Sequence, residues 1–143
     1  MLEIGNGGMR HDEYITHMTL WCLLAAPLLA GDDLTRVTPE DQAILLNKEA
    51  IAVDQDAKGV QGHRVAAEGP LEVWAKPLAD GSVAVGLFSR AATFPVRVNF
   101  KDIGLGESVH VRDLWAHKDL GSFENEFTAQ VPRHGAVMLR IWK

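Results

Sequence analysis

"TLWCLLAAPLLAGDD", residues 19–33, is the most apolar stretch of the chain, and its reading decides the fold. A secretory signal places positive charge ahead of its apolar segment. Here Glu3, Asp12 and Glu13 outnumber the single Arg10, so the flank has the wrong sign. The uninterrupted apolar run, Leu20 to Ala30, is 11 residues long with Pro27 inside it, whereas a membrane helix needs roughly 20 mostly apolar residues. No membrane partner is expected from it. The stretch reads as protein core, divided at Pro27 into the end of a helix and a short buried strand, "PLLAG".

Working outward, Asp12 is placed to cap that helix, and Ile15, Met18, Cys22 and Ala25 recur at steps of three and four, the spacing of one buried face. "MLEIGNGG" reads as a brief strand ending in a turn at Asn6, Gly7 and Gly8, residues that tolerate positive φ. In "TPEDQAILLN", Thr38 is an N-cap, Pro39 takes the first helical position and acids fill the first turn. A further short helix is expected from about Asn47 to Val53. Strand, helix, strand, helix is βα alternation, the pattern of a parallel sheet.

The texture changes near Gly69-Pro70. In "LEVWAKPLADGSVAVGLFSR", Asp80-Gly81 separates two strand-like runs, a strong hairpin signal. Val96, Val98 and Phe100 alternate in "PVRVNF"; Phe123, Phe127, Ala129 and Val131 keep one parity in "FENEFTAQV"; Val137, Leu139 and Ile141 do so in "AVMLRIW". With "SVHVRDLW" about six strands are expected, enough for an antiparallel sandwich.

The charge balance of 14 basic against 19 acidic residues, net −5, and the absence of any Lys/Arg cluster exclude a nucleic-acid surface. The single cysteine, Cys22, allows no internal disulfide. The six histidines, at 11, 17, 63, 110, 117 and 134, form no metal-ligand pattern, so neither a metal site nor a cofactor is expected. Acidic residues come in close pairs, Asp12/Glu13, Asp32/Asp33 and Asp54/Asp56. A retaining glycosidase needs two carboxyls about 5–5.5 Å apart, usually from different elements, so adjacency alone is poor evidence for one. Asp32/Asp33 stands out because it follows "PLLAG", and active sites gather at the carboxyl ends of parallel barrel strands.

Taken together, "MLEIGNGGM", "LWCLLAAPLLAG", "LLNKEAIAVDQD" and "EVWAKPLADGSVAVGLFSR", with "VRDLWAHKDLGSF" further on, resemble the C-terminal part of the α-galactosidases of glycoside hydrolase family 27. The resemblance implies an α/β portion over residues 1–65, the last strands and helices of a TIM (β/α)8 barrel, followed by an all-β antiparallel sandwich over 70–143. It also implies hydrolysis of terminal α-galactosides with retention, an α-galactoside being the partner of the complete enzyme. The family's nucleophile and acid/base are aspartates at the ends of the fourth and sixth barrel strands, upstream of any residue here, so no catalytic residue is expected in this chain. The likeness begins inside the family's Asp-Pro-Asp-Met-Leu segment. Met1 occupies the Met position and is carried over as a substrate-binding, pocket-lining wall. Two departures stand out: Ala57-Lys58 replaces a common Pro-Leu, and Asp32 stands where Asn or Ser is frequent.

The expectation is therefore a C-terminal portion of a longer hydrolase, silent by itself, with 1 to about 65 dependent on missing barrel strands and about 70–143 able to fold alone. The rival reading is a non-catalytic carbohydrate-binding sandwich with Trp74, Trp115 or Trp142 as stacking platform. Assembly as a homo-oligomer stays open, since no residue pattern tests it.

Overall fold

The computed structural model describes residues 1–143. Helix α1 (His11–Leu23) starts two residues earlier than a cap at Asp12 would start it. Glu13 reaches back to accept the Arg10 backbone N–H at 2.7 Å, so Arg10 is the N-cap and Asp12 lies in the first turn. Met18 and Cys22 lie on the buried face as expected, joined by Tyr14, Thr19 and Leu23. Ala25 falls outside the helix at φ +51°. Its N–H donates to Cys22 O at 3.3 Å and that of Ala26 to Trp21 O at 3.1 Å, a Schellman ending reached before Pro27. α2 (Pro39–Leu45) begins at Thr38, whose Oγ1 accepts from Asp41 N at 3.2 Å. α3 (Lys48–Asp54) begins at Asn47, whose Oδ1 accepts from Glu49 N and Ala50 N.

"PLLAG" is not the buried strand expected. Only one parallel bridge forms, Leu2 to Ala30, and Leu29 is 59 % exposed. A parallel strand is buried on both faces only when neighbours flank it, and this one has a single neighbour.

Eight strands follow: β1 (His63–Glu68), β2 (Leu71–Pro77), β3 (Val83–Ser89), β4 (Phe94–Asn99), β5 (Ser108–Asp113), β6 (Lys118–Glu124), β7 (Glu126–Val131) and β8 (Ala136–Trp142). They form a six-stranded antiparallel sheet in the order β1-β2-β3-β8-β5-β6 and a two-stranded sheet, β4-β7. The β2–β3 hairpin turns through Leu78–Ser82, where Gly81 takes φ +87°. β1 was not foreseen; it extends the large sheet ahead of Gly69-Pro70. "FENEFTAQV" is two strands, because Asn125 at φ +63° redirects the chain from the large sheet into the small one. Phe123 and Phe127 still face one core across that bend, edge to face with ring centroids 4.8 Å apart.

The large sheet is covered on both faces, and all seven residues of β3 are buried. One face meets β4-β7 through Val73, Val85, Leu87, Val96, Val98, Phe100, Leu139 and Ile141. The other meets the helices: Ala84, Phe88, Leu114, Ala136 and Met138 share a core with Ile4, Tyr14, Met18, Cys22, Leu23 and Val53. Gly86 allows that approach, since a Cβ there would lie 2.6 Å from Leu23 Cδ1. Polar bonds cross the same seam: Asn47 Nδ2 donates to Leu114 O at 3.0 Å, Gly62 N to Leu23 O at 2.7 Å and Thr16 Oγ1 to His134 O at 2.8 Å.

Lys76 is the most consequential of these contacts. It projects from β2 with none of its surface exposed. Its Nζ donates to Val53 O at 2.6 Å and to Cys22 O and Asp54 O at 3.3 Å each. The last carbonyls of a helix have no intrahelical donor and carry partial negative charge, so one ammonium serves the ends of both α1 and α3. Burial pulls the Lys76 pKa below its ordinary value, and the nearby Asp54 and Asp56 carboxylates oppose that pull.

A second charged contact joins the layers at Glu49. Arg112 donates from Nε at 2.8 Å and Nη2 at 2.9 Å to its two carboxylate oxygens, and His117 Nδ1 lies 2.8 Å from Oε1. The Arg112 hydrogen bonds first, then those of His117, hold the Glu49 carboxyl down to about 2 from 4.5. A depressed carboxylate pKa gives stability that is complete above the unfolded value and lost as pH falls toward the folded one. Because the Glu49 side chain is 28 % exposed, the expected contribution is modest, ~1–2 kcal/mol after allowance for solvent screening. Urea unfolding near neutral pH should show wild type more stable than Glu49→Gln by that amount, the gap closing as pH drops from about 4.5 to about 2. A gap independent of pH would contradict this assignment.

Candidate functional site

The rim at the carboxyl ends of the two parallel segments is where sequence reasoning pointed. Leu2 N donates to Leu29 O at 2.7 Å and Gly31 N to Leu2 O at 2.9 Å, so the segment after Met1 and the segment before Asp32 run side by side. Glycine at 31 is required by that closeness: a Cβ would sit 2.7 Å from Leu2 O and 3.2 Å from Met1 Cβ. Met1 and the start of the Asp32-Asp33 loop are thus neighbours on one edge. Met1 is 71 % exposed, an apolar side chain open to solvent rather than a packed one.

The two aspartates differ in employment. Asp33 Oδ1 accepts from Thr35 N at 3.0 Å and Thr35 Oγ1 at 2.6 Å, which closes a turn and lowers its pKa. Both carboxylate oxygens of Asp32 are buried without a hydrogen-bond partner. Asp32 Oδ2 and Asp41 Oδ2 both face Gly5, at φ +90°, where an added Cβ would lie 3.5 and 3.6 Å from them. Asn6 Nδ2 bridges Glu3 Oε2 at 2.7 Å and Gly31 O at 3.2 Å, fixing the turn that follows Leu2 and Ile4. An unpaired buried carboxylate costs free energy, which makes Asp32 the residue of this rim best placed to accept a further donor.

The other acidic pairs are structural. Glu13 caps α1 and approaches His134 Nδ1 at 3.2 Å. Asp56 Oδ1 accepts from Lys58 N and Ala79 N, tying the loop after α3 to the hairpin turn. No group of three His, Cys, Asp or Glu side chains converges as metal ligands would, and no helix is long and apolar enough to cross a membrane. Of the tryptophans, Trp74 and Trp115 pack against the helix-side core, Trp115 Nε1 donating to Thr19 Oγ1 at 2.9 Å. Trp142 alone of the three borders an open cleft. Lys76 and the opposed pair Arg112 and Arg140 were not singled out from the sequence; the only trace of the pair is an arginine at a matching position in each of two strand-like runs.

Comparison with known proteins agrees with both parts of the chain. Residues 68–141 match the family described as "Alpha galactosidase C-terminal beta sandwich domain", and residues 1–56 match the one described as "Alpha galactosidase A". α-Galactosidase 2 of Arabidopsis thaliana is 44 % identical over 99 % of this chain and 36 % of its own length. The α-galactosidase of Cyamopsis tetragonoloba is 43 % identical over 96 % of this chain and 34 % of its own length. The crystal structure of α-galactosidase I from Mortierella vinacea superposes over 100 % of this chain and 38 % of that one, with TM-score 0.96 and 36 % identity. The chain thus spans about a third of the length of the curated relatives it matches. With both segments matched by family models and the whole chain superposing on a solved relative, the chain belongs to the α-galactosidases of glycoside hydrolase family 27.

Proposed function

We propose that this chain supplies the last strands and helices of a (β/α)8 barrel (residues 1–65) and the C-terminal β-sandwich (residues 70–143) of an enzyme that hydrolyses terminal α-galactosides with retention. The single observation that carries the reading is the parallel Leu2–Ala30 bridge, which brings Met1 and the Asp32-Asp33 loop to one rim. In this reading Met1 is an apolar wall of the galactose pocket, and the chain holds neither the nucleophile nor the acid/base. Its own contribution is positional. The bridge fixes the direction of Met1, the Schellman ending and the Lys76 ammonium fix α1, and the sandwich backs the whole segment. The exposed Leu29, Leu34 and Leu46 and the unpaired Asp32 carboxylate further support a rim that meets other barrel elements.

The test joins the 143 residues to the preceding barrel portion of the Mortierella vinacea α-galactosidase. On a chromogenic α-galactoside the chimera should turn over while the 143-residue chain alone does not. Met1→Ala in the chimera should lower kcat/KM by about 10- to 100-fold, mainly through KM, as expected for loss of binding shared by ground and transition states. Turnover by the chain alone would overturn the proposal, and an unchanged kcat/KM in Met1→Ala would remove Met1 from the pocket.

A further inference from the structure

Along β8 the side chains on the helix face are, by alternation, Ala136, Met138, Arg140 and Trp142. The first two are in the helix-side core. Beyond them Arg140 and Trp142 border an open cleft of about 730 Å³ that Arg112, Asp80 and, from the first turn of α3, Glu49 also line. The same strand face changes there from aliphatic to aromatic and hydrogen-bonding.

The cleft is held rigidly. His110 is the cross-strand partner of Trp142 and stacks on it, with ring centroids 5.6 Å apart and planes inclined by 25°. Arg112 and Arg140 are also direct cross-strand partners, a juxtaposition that like charges disfavour. Each is held in place by carboxylates: Arg112 by Glu49 and Asp119, Arg140 by Asp80, with Ser82 Oγ accepting from Arg140 Nε at 3.0 Å. Groups fixed in this way lose little freedom when a ligand arrives. The lining carries three cations, Arg112, Arg140 and Lys143, and two carboxylates, Glu49 and Asp80; Asp119, which is not in the lining, also pairs with Arg112, so the local charges cancel. That balance disfavours an anion. The lining has only two hydrophobic residues, which disfavours an apolar ligand. A neutral ligand with an apolar face and many hydroxyls suits both conditions.

We propose that this cleft is a non-catalytic binding site for a neutral saccharide, in which the Trp142 indole takes the C–H face of one sugar ring and the arginine–carboxylate pairs take its hydroxyls. The site is built on β5, β8, the first turn of α3 and the β2–β3 turn, shares no residue with the Met1–Asp32 rim, and does not rest on the galactosidase reading. Binding can therefore be measured without turnover.

The experiment titrates the ¹⁵N-labelled 143-residue chain with melibiose, cellobiose or inorganic phosphate and follows the tryptophan indole and arginine Nε signals. A disaccharide should shift Trp142 and Arg140 saturably, leaving Trp74 and Trp115 unmoved. Trp142→Leu should abolish the binding, and Arg140→Gln should weaken it roughly fivefold or more, as loss of a central contact does. Should Trp142→Leu fail to fold, Arg140→Gln and the wild-type shift pattern carry the test. Absence of a saturable shift with either disaccharide up to about 50 mM, well beyond a millimolar dissociation constant, would overturn the proposal. So would a stronger response to phosphate, or binding unaltered in Arg140→Gln.

Discussion

Replacing Lys76 with methionine should destabilise the protein by about 3 kcal/mol, because Val53 O and Asp54 O at the end of α3 lose their donor and Cys22 O at the end of α1 keeps only that of Ala25 N. Methionine matches the lysine stem in length and relieves the cost of a buried charge, so some of the loss is recovered. The sign is nevertheless decided by the carbonyls. Each buried acceptor left unsatisfied costs ~1–3 kcal/mol, and the methyl group cannot donate to any of them. The observable is a lowered urea midpoint with an unchanged slope, accompanied by a change at Cys22. That thiol is fully buried, and burial, the main cause, pushes its pKa up to about 12. It should resist a thiol reagent in the wild type and react measurably faster once Lys76 no longer ties α1 to the sheet. A midpoint within about 0.5 kcal/mol of wild type, with Cys22 still protected, would show that the three bonds contribute nothing net.

The second large effect concerns the sandwich by itself. Sequence texture suggests that residues from about 70 onward fold alone, but the shared core weighs against it. Excision at residue 70 removes β1, the edge partner of β2, and uncovers Phe88, Leu114 and Met138, which are buried against the helices. Side chains of this size gain ~1.5–3 kcal/mol each on burial, so three of them amount to roughly 5–9 kcal/mol. That is comparable with the whole stability of an ordinary domain, ~5–15 kcal/mol. Residues 70–143 expressed alone should therefore bind a hydrophobic dye, lose near-ultraviolet circular dichroism and be digested rapidly, whereas the 143-residue chain should not. A cooperatively unfolding, protease-resistant 70–143 fragment would refute this and restore the sandwich as an autonomous unit.

These two expectations show where sequence is a good guide and where it is not. Thr38-Pro39, Asn47 and Asp80-Gly81 were legible because caps and turns are decided by residues adjacent in sequence. So was the parity of Phe123 and Phe127, which is a property of side-chain direction rather than of sheet membership. What escaped depends on partners distant in the chain. β1, "HRVAAE", is an exposed edge strand with no alternation to announce it. The run around Asn125 changes sheets without changing parity. "PLLAG" looks buried because it is apolar, yet burial depends on neighbours. Lys76 looks like any solvated strand lysine until the ends of two helices, 54 and 23 residues away at Cys22 and Val53, converge on it. Of the rim, Met1 was reached only through resemblance, and Asp32 through its place after a presumed strand; its unpaired oxygens became visible only in three dimensions.

The bend at Asn125 also has a mechanical meaning. β6 and β7 are one continuous length of chain, so the large and small sheets are joined covalently along a strand and not merely pressed together through side chains. Asn125 N donates to Glu107 O at 2.6 Å and Phe100 N to Asn125 O at 2.9 Å, which anchors the bend at both of its backbone groups. The sheets can neither slide past one another nor part like two leaves without first breaking these bonds. The position also constrains inheritance: at φ +63° asparagine, aspartate and glycine sit without difficulty, while valine, isoleucine or threonine would be strained there. A single backbone angle thus ties the permitted alphabet of one site to the rigidity of the whole sandwich.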